Sequence, residues 1–276
     1  MATPLPAQTI TARRTRPPRS LEVVLDPAPE DIEATIDWSD WYLTDEADMG
    51  ESSEQHLIIR ALLSYLGELA QERGWQDIFI GADQFFAWIE SEPLVRISPD
   101  VYLLDQPPPR PLPASWQTWL PGHHPPRLAF EIVSEGNWRK DYRNAPAKYA
   151  QLGTKELVIF DPEAAAGRVS RFEERVALQV FRRDIDSGFT RIYYGGGPTE
   201  SEELAAWLVV LRDGNTASLG IARDAKGKSL IPSVEQARRQ AEQARTQEQE
   251  ARQQAERSLA EALAEIERLK NAWSKN

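Results

Sequence analysis

The stretch Leu128-Ala129-Phe130-Glu131-Ile132-Val133 is almost wholly apolar and carries one carboxylate in its second half. A short, continuous apolar run of this kind predicts a strand that is buried on both faces, inside a sheet. Burying a carboxylate without a partner is expensive, so Glu131 is expected to accept hydrogen bonds, form an ion pair or bind a metal ion. This run therefore predicts both the middle of a sheet and a position for chemistry.

Helix and strand patterns lie on both sides of this run. Residues 57–69 carry apolar side chains at 3.6-residue spacing, after a candidate N-cap at Ser53 and before a helix-ending glycine, Gly74. A second helix is predicted to start near Pro146 and to end at Gly153. Apolar and β-branched runs predict further strands at 77–81, 85–89, 94–104, 156–160, 179–183, 189–194, 208–211 and 219–223. This order predicts an α/β or α+β domain built on a mixed sheet.

Composition divides the chain into three parts. Residues 1–29 are rich in Pro, Thr and Arg without periodicity, which predicts a disordered leader. Residues 30–232 carry the patterns of one folded domain. From 233 to 276 Gly and Pro are absent, and small or apolar residues recur at steps of three and four, which predicts a C-terminal helix. That helix is either solitary and crossed by salt bridges, or a coiled coil that dimerises the protein or binds a partner.

The formal net charge of −11 is concentrated in one short block. Residues 30–54 carry ten Asp or Glu and no Lys or Arg. An acidic protein is normally a poor partner for nucleic acid, because phosphate binding depends on Lys and Arg. Here that objection applies to the block and not to the rest of the chain. One hypothesis is that the block covers a basic surface as a mimic of DNA.

The composition and the motifs of the chain exclude several kinds of site. The 276 residues include no cysteine, which excludes disulfides, thiolate nucleophiles and Cys-ligated zinc. A glycine-rich phosphate loop is absent. The histidines are His56, His123 and His124. They lack the spacing of metal ligands, and none lies near a serine in the sequence context of a serine hydrolase. The longest apolar run, 204–211, is too short to span a membrane, and no signal peptide is visible. We expect a soluble, cytoplasmic protein.

Asp100 and Glu131 form the strongest candidate site. Asp100 follows Ser98-Pro99 and could simply form a turn, while Glu131 could form an ion pair at the end or edge of a strand. Two carboxylates on neighbouring strands also suit Mg²⁺, which prefers oxygen ligands and can activate water for attack on a phosphodiester. Together with Lys148 on the next helix, the pair favours the catalytic interpretation.

Short motifs follow one another in a characteristic order: Glu54-Gln55-His56 at a helix start, Pro99-Asp100-Val101, Glu131-Ile132-Val133-Ser134, Asp141, Lys148-Tyr149, Gly153 and Phe160-Asp161-Pro162. In this order and spacing, residues 54–161 resemble the Uma2 family of restriction endonuclease-like proteins, a branch of the PD-(D/E)XK nuclease superfamily. Looser similarity continues to about Pro232. The resemblance implies a restriction endonuclease-like fold, a mixed sheet flanked by helices, and a DNA endonuclease.

The resemblance also implies a metal site. Asp100 and Glu131 would bind Mg²⁺ or Mn²⁺, with the main-chain carbonyl of Ile132 as a third ligand. Glu54, on the first helix, would assist as an outer acid. The cation would activate the water that attacks the phosphodiester.

The lysine of the superfamily is displaced in this sequence. The general pattern places it at Val133 and the Uma2 pattern at Ala145. We expect Lys148, three residues later on roughly the same helical face, to hold the attacking water or neutralise the phosphate. Lys140 is a weaker candidate for that role, and Asp141 is expected to brace Lys148 or the neighbouring loop.

Four basic residues lie just before and within the second helix and form a local cluster: Arg139, Lys140, Arg143 and Lys148. With Trp138 beside it, the cluster suits contact with a DNA backbone, or equally a solvated helix entry with a core tryptophan. The sequence thus predicts an Mg²⁺-dependent DNA endonuclease. The alternative is a protein that keeps the nuclease fold with weak or no catalysis and acts as an interaction module, as a homodimer or with a partner protein, through 233–273.

Overall fold

The computed structural model describes residues 23–24, 42–43, 52–106, 111–134, 138–170, 174–184 and 188–273. Within these ranges the strands are β1 (Val23–Val24), β2 (Ile78–Gly81), β3 (Phe85–Ala87), β4 (Arg96–Ile97), β5 (Val101–Asp105), β6 (Ser115–Gln117), β7 (Leu128–Ile132), β8 (Glu156–Phe160), β9 (Leu178–Asp184), β10 (Gly188–Gly195), β11 (Thr199–Ser201), β12 (Ala206–Asp213) and β13 (Thr216–Ala222). The helices are α1 (Ser53–Arg73), α2 (Trp138–Arg143), α3 (Ala145–Leu152), α4 (Pro162–Ala165) and α5 (Val234–Trp273). The predicted α+β class is confirmed.

A seven-stranded mixed sheet runs in the order β1-β10-β9-β8-β7-β5-β2. Strands β7 and β8 are parallel, and the other neighbouring pairs of this sheet are antiparallel. A parallel pair needs a crossover connection, and α2 and α3 lie in the chain between β7 and β8. Every residue of β7 and β8 is buried, as the apolar run predicted.

The two faces of this sheet pack against different helices. Alternate residues of a strand point to opposite faces, so neighbouring positions in β7 enter different cores. Leu128, Phe130 and Ile132 pack in a cluster with the buried side chains of α1, which are Ile58, Ile59, Leu62, Leu66 and Leu69. Ala129 and Val133 pack in a second cluster with Tyr149 of α3. Side chains from α1 and α3 therefore approach β7 from opposite faces.

Helix α1 starts one residue earlier in the chain than the predicted N-cap, Ser53, implies. Ser52, not Ser53, is the N-cap, and its Oγ accepts a hydrogen bond from the Gln55 N–H at 3.1 Å. Gly74 ends the helix with φ 65°, a conformation that favours glycine. The cap fixes the main chain of Gln55, which lies in the first turn of α1.

Several local predictions differ from the structure. The predicted strand at 94–104 is broken at Ser98-Pro99, because proline has no N–H for a ladder, and β4 and β5 join different sheets. The strands predicted as edges at 208–211 and 219–223 instead form a separate sheet, β11-β12-β13. A third sheet has the order β4-β3-β6, and neither β6 nor the short helix α2 was predicted. These pairings depend on distant partners, which a local pattern does not contain.

The three-part organisation of the chain stays a prediction. In the predicted leader, Val23 and Val24 pair with β10, a contact that the leader hypothesis did not anticipate. Most of the acidic block lies outside the described residues. Contacts divide the chain between Ile231 and Pro232, and the second unit contains the helix α5. No helix among the described ranges has the length and apolar character needed to cross a membrane.

Asp161, at the end of β8, anchors the crossover helices. Its buried carboxylate accepts a hydrogen bond from the Tyr142 hydroxyl of α2 at 2.9 Å and two from Arg175, at 2.7 and 2.9 Å. It also caps α4 by accepting from the Ala164 N–H at 2.9 Å. One carboxylate thus ties α2, α4 and the segment before β9 to the end of β8.

We expect Asp161→Ala to lower the free energy of unfolding by about 3–5 kcal/mol, because it removes the carboxylate from a buried guanidinium and from a helix cap. Urea denaturation followed by circular dichroism measures this loss. The control is Asp213→Asn, at an exposed strand end, with an expected change within about 0.5 kcal/mol. Equal stability of the two variants would contradict the anchoring role of Asp161.

Candidate active site

Asp100 lies at the point where β5 starts and β7 ends. Its Oδ2 accepts a hydrogen bond from the Ile132 N–H at 2.5 Å. Its Oδ1 accepts one from the Gln55 side-chain amide at 3.2 Å. Both partners are far from Asp100 in the chain, so the carboxylate joins separate elements instead of closing a local turn.

The Gln55 amide also connects Asp100 with the main chain of β7. Its Nε2 lies 3.1 Å from the Ile132 carbonyl oxygen and 3.2 Å from Asp100 Oδ1. These two oxygens are two of the three predicted metal ligands. Because both bond to the same nitrogen atom, they face one common position.

Glu131 is buried on the face of β7 that packs against α3. Its Oε1 accepts a hydrogen bond from the Tyr149 hydroxyl at 2.6 Å. Burial, followed by the negative charge of Glu131, holds the pKa of Tyr149 well above its ordinary value, and Asp100 and Asp141 act in the same direction. The phenol therefore stays protonated and donates to Glu131, and three carboxylates lie close enough to act on it.

Lys148 is buried in α3, with 6% of its surface exposed. Its Nζ donates a hydrogen bond to the Arg96 carbonyl of β4 at 3.4 Å. Arg96 lies four residues before Asp100, and Tyr149 follows Lys148 directly. The ammonium group of Lys148 thus contacts β4, the strand that precedes Asp100 in the chain. Ala145, where the Uma2 pattern has its lysine, is also buried on α3.

Glu54 does not take the place expected of an outer acid. Its carboxylate bonds to Arg168, at 2.9 and 3.1 Å, on the surface. Successive residues of a helix point roughly 100° apart, so Glu54 and Gln55 face different directions. The side chain of α1 that contacts Asp100 is Gln55, and the contacts of Glu54 give the outer-acid role no support.

The remaining predicted residues lie on α2. Asp141 is buried and acts electrostatically on Tyr149. Arg139 and Arg143 are exposed, and the Arg139 guanidinium lies 4.6 Å from the centre of the Trp138 ring. Lys140 belongs to α2, but its side chain lies outside the described part of the structure. Trp138 itself packs edge-on against Tyr142, so it has a structural role.

The donor set suits a small hard cation. Among the described residues no group of three or more His, Asp or Glu side chains is arranged to hold a metal ion. The predicted set is different, because its third ligand is a main-chain carbonyl. Carboxylate and carbonyl oxygens are the ligands that Mg²⁺ prefers, and Asp100 Oδ1 and Ile132 O face the same position. The residues present fit such a cation.

Sequence reasoning missed two residues of the site. Tyr149 belonged to a recognised motif but had no assigned role. Gln55 carried a readable signal, because it continues the buried stripe of α1 three and seven residues before Ile58 and Leu62. A polar residue at the end of an apolar helical stripe indicates a side chain that points toward the protein interior, near a polar site.

The mixed sheet thus brings the Asp100 carboxylate and the Ile132 carbonyl together where two adjacent strands meet, and a second carboxylate, Glu131, is buried on one of these strands. A family model described as "Uma2: Putative restriction endonuclease" matches residues 46–199, which is more than half of the chain. The chain belongs to the Uma2 family.

The comparisons also found similar solved structures. One is a crystal structure described as a putative nuclease belonging to DUF820, from Anabaena variabilis. It is 12% identical in sequence, with a TM-score of 0.36, over 57% of this chain and 76% of that chain. No curated protein matches the chain.

We expect Tyr149→Phe to destabilise the protein by about 1.5–3 kcal/mol at pH 8, since it removes a hydrogen bond to a buried carboxylate. The raised pKa means that the folded wild type keeps the phenolic proton above about pH 10, where the unfolded chain loses it. Tyr149 therefore stabilises the wild type less as the pH rises. The difference in free energy of unfolding between the wild type and Tyr149→Phe becomes smaller.

Urea denaturation at pH 8, 9.5 and 10.5 measures that difference. Tyr65→Phe, at a half-buried position of α1, is the control and should change stability at pH 8 by less than about 0.5 kcal/mol. A difference for Tyr149→Phe that stays constant over this pH range would contradict the assignment.

Proposed function

We propose that this protein is a divalent-metal-dependent endonuclease that hydrolyses phosphodiester bonds in DNA. Membership of a restriction endonuclease family supports a hydrolase that acts on nucleic acid. The observation that carries the proposal is the convergence of Asp100 Oδ1 and the Ile132 carbonyl on one position, beside the buried Glu131. Mg²⁺ or Mn²⁺ bound there would supply activation of water and stabilisation of charge on the phosphate.

Groups of the protein hold both carboxylates in position. The Ile132 N–H holds Oδ2 of Asp100, which directs Oδ1 toward the Ile132 carbonyl. The Tyr149 hydroxyl holds Oε1 of Glu131. Because these partners lie on the sheet and on α3, the ligands need little rearrangement, which favours both binding and catalysis.

Helices α2 and α3 carry positive charge. Lys148 is buried next to Tyr149, and we propose that its ammonium group orients the attacking water or neutralises the phosphate. The exposed Arg139 and Arg143, with Lys140 of the same helix, would contact the DNA backbone, which is a sequence-independent interaction. Such contacts position the duplex without selecting a base sequence.

We expect the purified full chain to nick supercoiled plasmid with Mg²⁺ or Mn²⁺, and EDTA to abolish the nicking. Asp100→Ala and Glu131→Gln should each lower the rate by at least about 100-fold, because a lost ligand removes several kcal/mol of transition-state stabilisation. The matched control is Asp77→Asn, an exposed acid outside the site. Gel electrophoresis of the nicked form measures the rates.

Two results would contradict the proposal. If wild type and Asp100→Ala nick the plasmid equally, the activity belongs to a contaminant. If the wild type cleaves neither plasmid nor single-stranded DNA with either metal, the protein is not an endonuclease for these substrates.

A second candidate function is assembly through the tail. Helix α5 spans 40 residues, and its side chains from Glu242 to Leu259 are exposed, with 62% of the Leu259 surface accessible. Its small and apolar residues recur at coiled-coil steps, so we propose that two copies of α5 associate. The nuclease proposal does not depend on this association.

We expect the full chain to be a dimer by light scattering. Leu259→Lys, on the proposed seam, should shift the mass toward the monomer, because it places a charge in an apolar interface. Gln253→Lys adds the same charge off the seam and should leave the mass unchanged. A monomeric wild type at tens of micromolar would contradict the association.

A further inference from the structure

The Gln55 side chain lies against two oxygens of the proposed cation site. Its amide nitrogen contacts Asp100 Oδ1 and the Ile132 carbonyl, two oxygens that the proposed function assigns to a cation. The amide group would stand beside any cation that these oxygens bind. An N–H donor pointing at a cation is unfavourable, so the two arrangements exclude each other.

We propose that Gln55 is itself a cation ligand, through a rotation of its amide group that exchanges Nε2 for Oε1 when a divalent cation binds. The inference rests on the cation site of the proposed function and adds one neutral oxygen ligand to it. Without a cation, the amide N–H groups satisfy the oxygens of Asp100 and Ile132. With a cation, the amide oxygen faces it instead.

The distances support a ligand position. The terminal atom of the Gln55 amide lies 3.2 Å from Asp100 Oδ1 and 3.1 Å from Ile132 O. In an octahedral Mg²⁺ site with cation–oxygen distances of about 2.1 Å, adjacent ligand oxygens are about 3.0 Å apart. The amide atom therefore has nearly the spacing from these two oxygens that a neighbouring ligand would have. Only its chemical identity, nitrogen instead of oxygen, needs to change.

The rotation itself requires little. The terminal torsion of glutamine is soft and roughly two-fold, and the amide oxygen and nitrogen have similar size. The main chain of Gln55 is fixed by the Ser52 cap at 3.1 Å, so the exchange is confined to the side chain. Helix α1 does not have to move.

The neighbouring acid does not compete for this role. Glu54 is held on the surface by Arg168, at 2.9 and 3.1 Å. A neutral amide at position 55 also limits the charge of the site, because Asp100 and Glu131 already supply two carboxylates. Glutamate at this position would add a third, which would bind a divalent cation more strongly.

The test is titration calorimetry of the full chain with MnCl₂, compared with Gln55→Leu and Gln55→Glu. We expect Gln55→Leu to weaken Mn²⁺ binding by at least fivefold, since leucine has a similar volume to glutamine but no oxygen ligand. Gln55→Glu is expected to tighten it by at least fivefold. The matched controls, Gln71→Leu and Gln71→Glu at the exposed far end of α1, should bind as the wild type does.

The outcomes separate the two proposals. If the wild type binds no Mn²⁺, or Asp100→Ala binds it equally well, the cation site of the proposed function is overturned, and this inference with it. If the wild type binds through Asp100 while Gln55→Leu binds equally or more tightly, only the ligand role of Gln55 is overturned. Should Gln55→Leu fail to fold, Gln55→Glu decides, because unchanged or weaker binding by that variant also overturns the role.

Discussion

The hydrogen bond from the Ile132 N–H to the Asp100 carboxylate is the interaction on which the candidate site depends. It joins the start of β5 to the end of β7, at the junction between the antiparallel and parallel parts of the sheet. Proline precedes Asp100, and its missing N–H ends the pairing of the preceding strand there. The Asp100 carboxylate lies against the main chain of β7, at the residue that follows Glu131.

Helices on the two faces of the sheet contribute side chains to the candidate site. Helix α1 packs on one face through its apolar stripe, and its first turn brings Gln55 to Asp100 and the Ile132 carbonyl. Helix α3 packs on the other face and brings Tyr149 to Glu131. A side chain from each face therefore holds one of the two carboxylates. The geometry of the site therefore depends on how both helices pack on the sheet.

Local sequence patterns predicted the elements better than their partners. The strand at 156–160 and the burial of Glu131 were predicted correctly, because a continuous run of apolar residues indicates a buried strand without reference to its partners. The strands at 208–211 and 219–223 were predicted, but their separate sheet was not, since pairing depends on distant residues. The choice of Gln55 over Glu54 was also missed, because the direction of a first-turn side chain depends on how α1 docks. The family resemblance implied roles for Asp100 and Glu131 but not for Gln55, whose amide connects Asp100 with the Ile132 carbonyl.

The central claim is that Asp100, Glu131 and the Ile132 carbonyl hold one divalent cation. Anomalous diffraction from crystals of the full chain grown with MnCl₂ tests it most directly. We expect a single manganese peak within about 2.0–2.4 Å of both carboxylates and of the carbonyl oxygen. The absence of a peak at this position, or a peak that persists unchanged in crystals of Asp100→Ala, would contradict it.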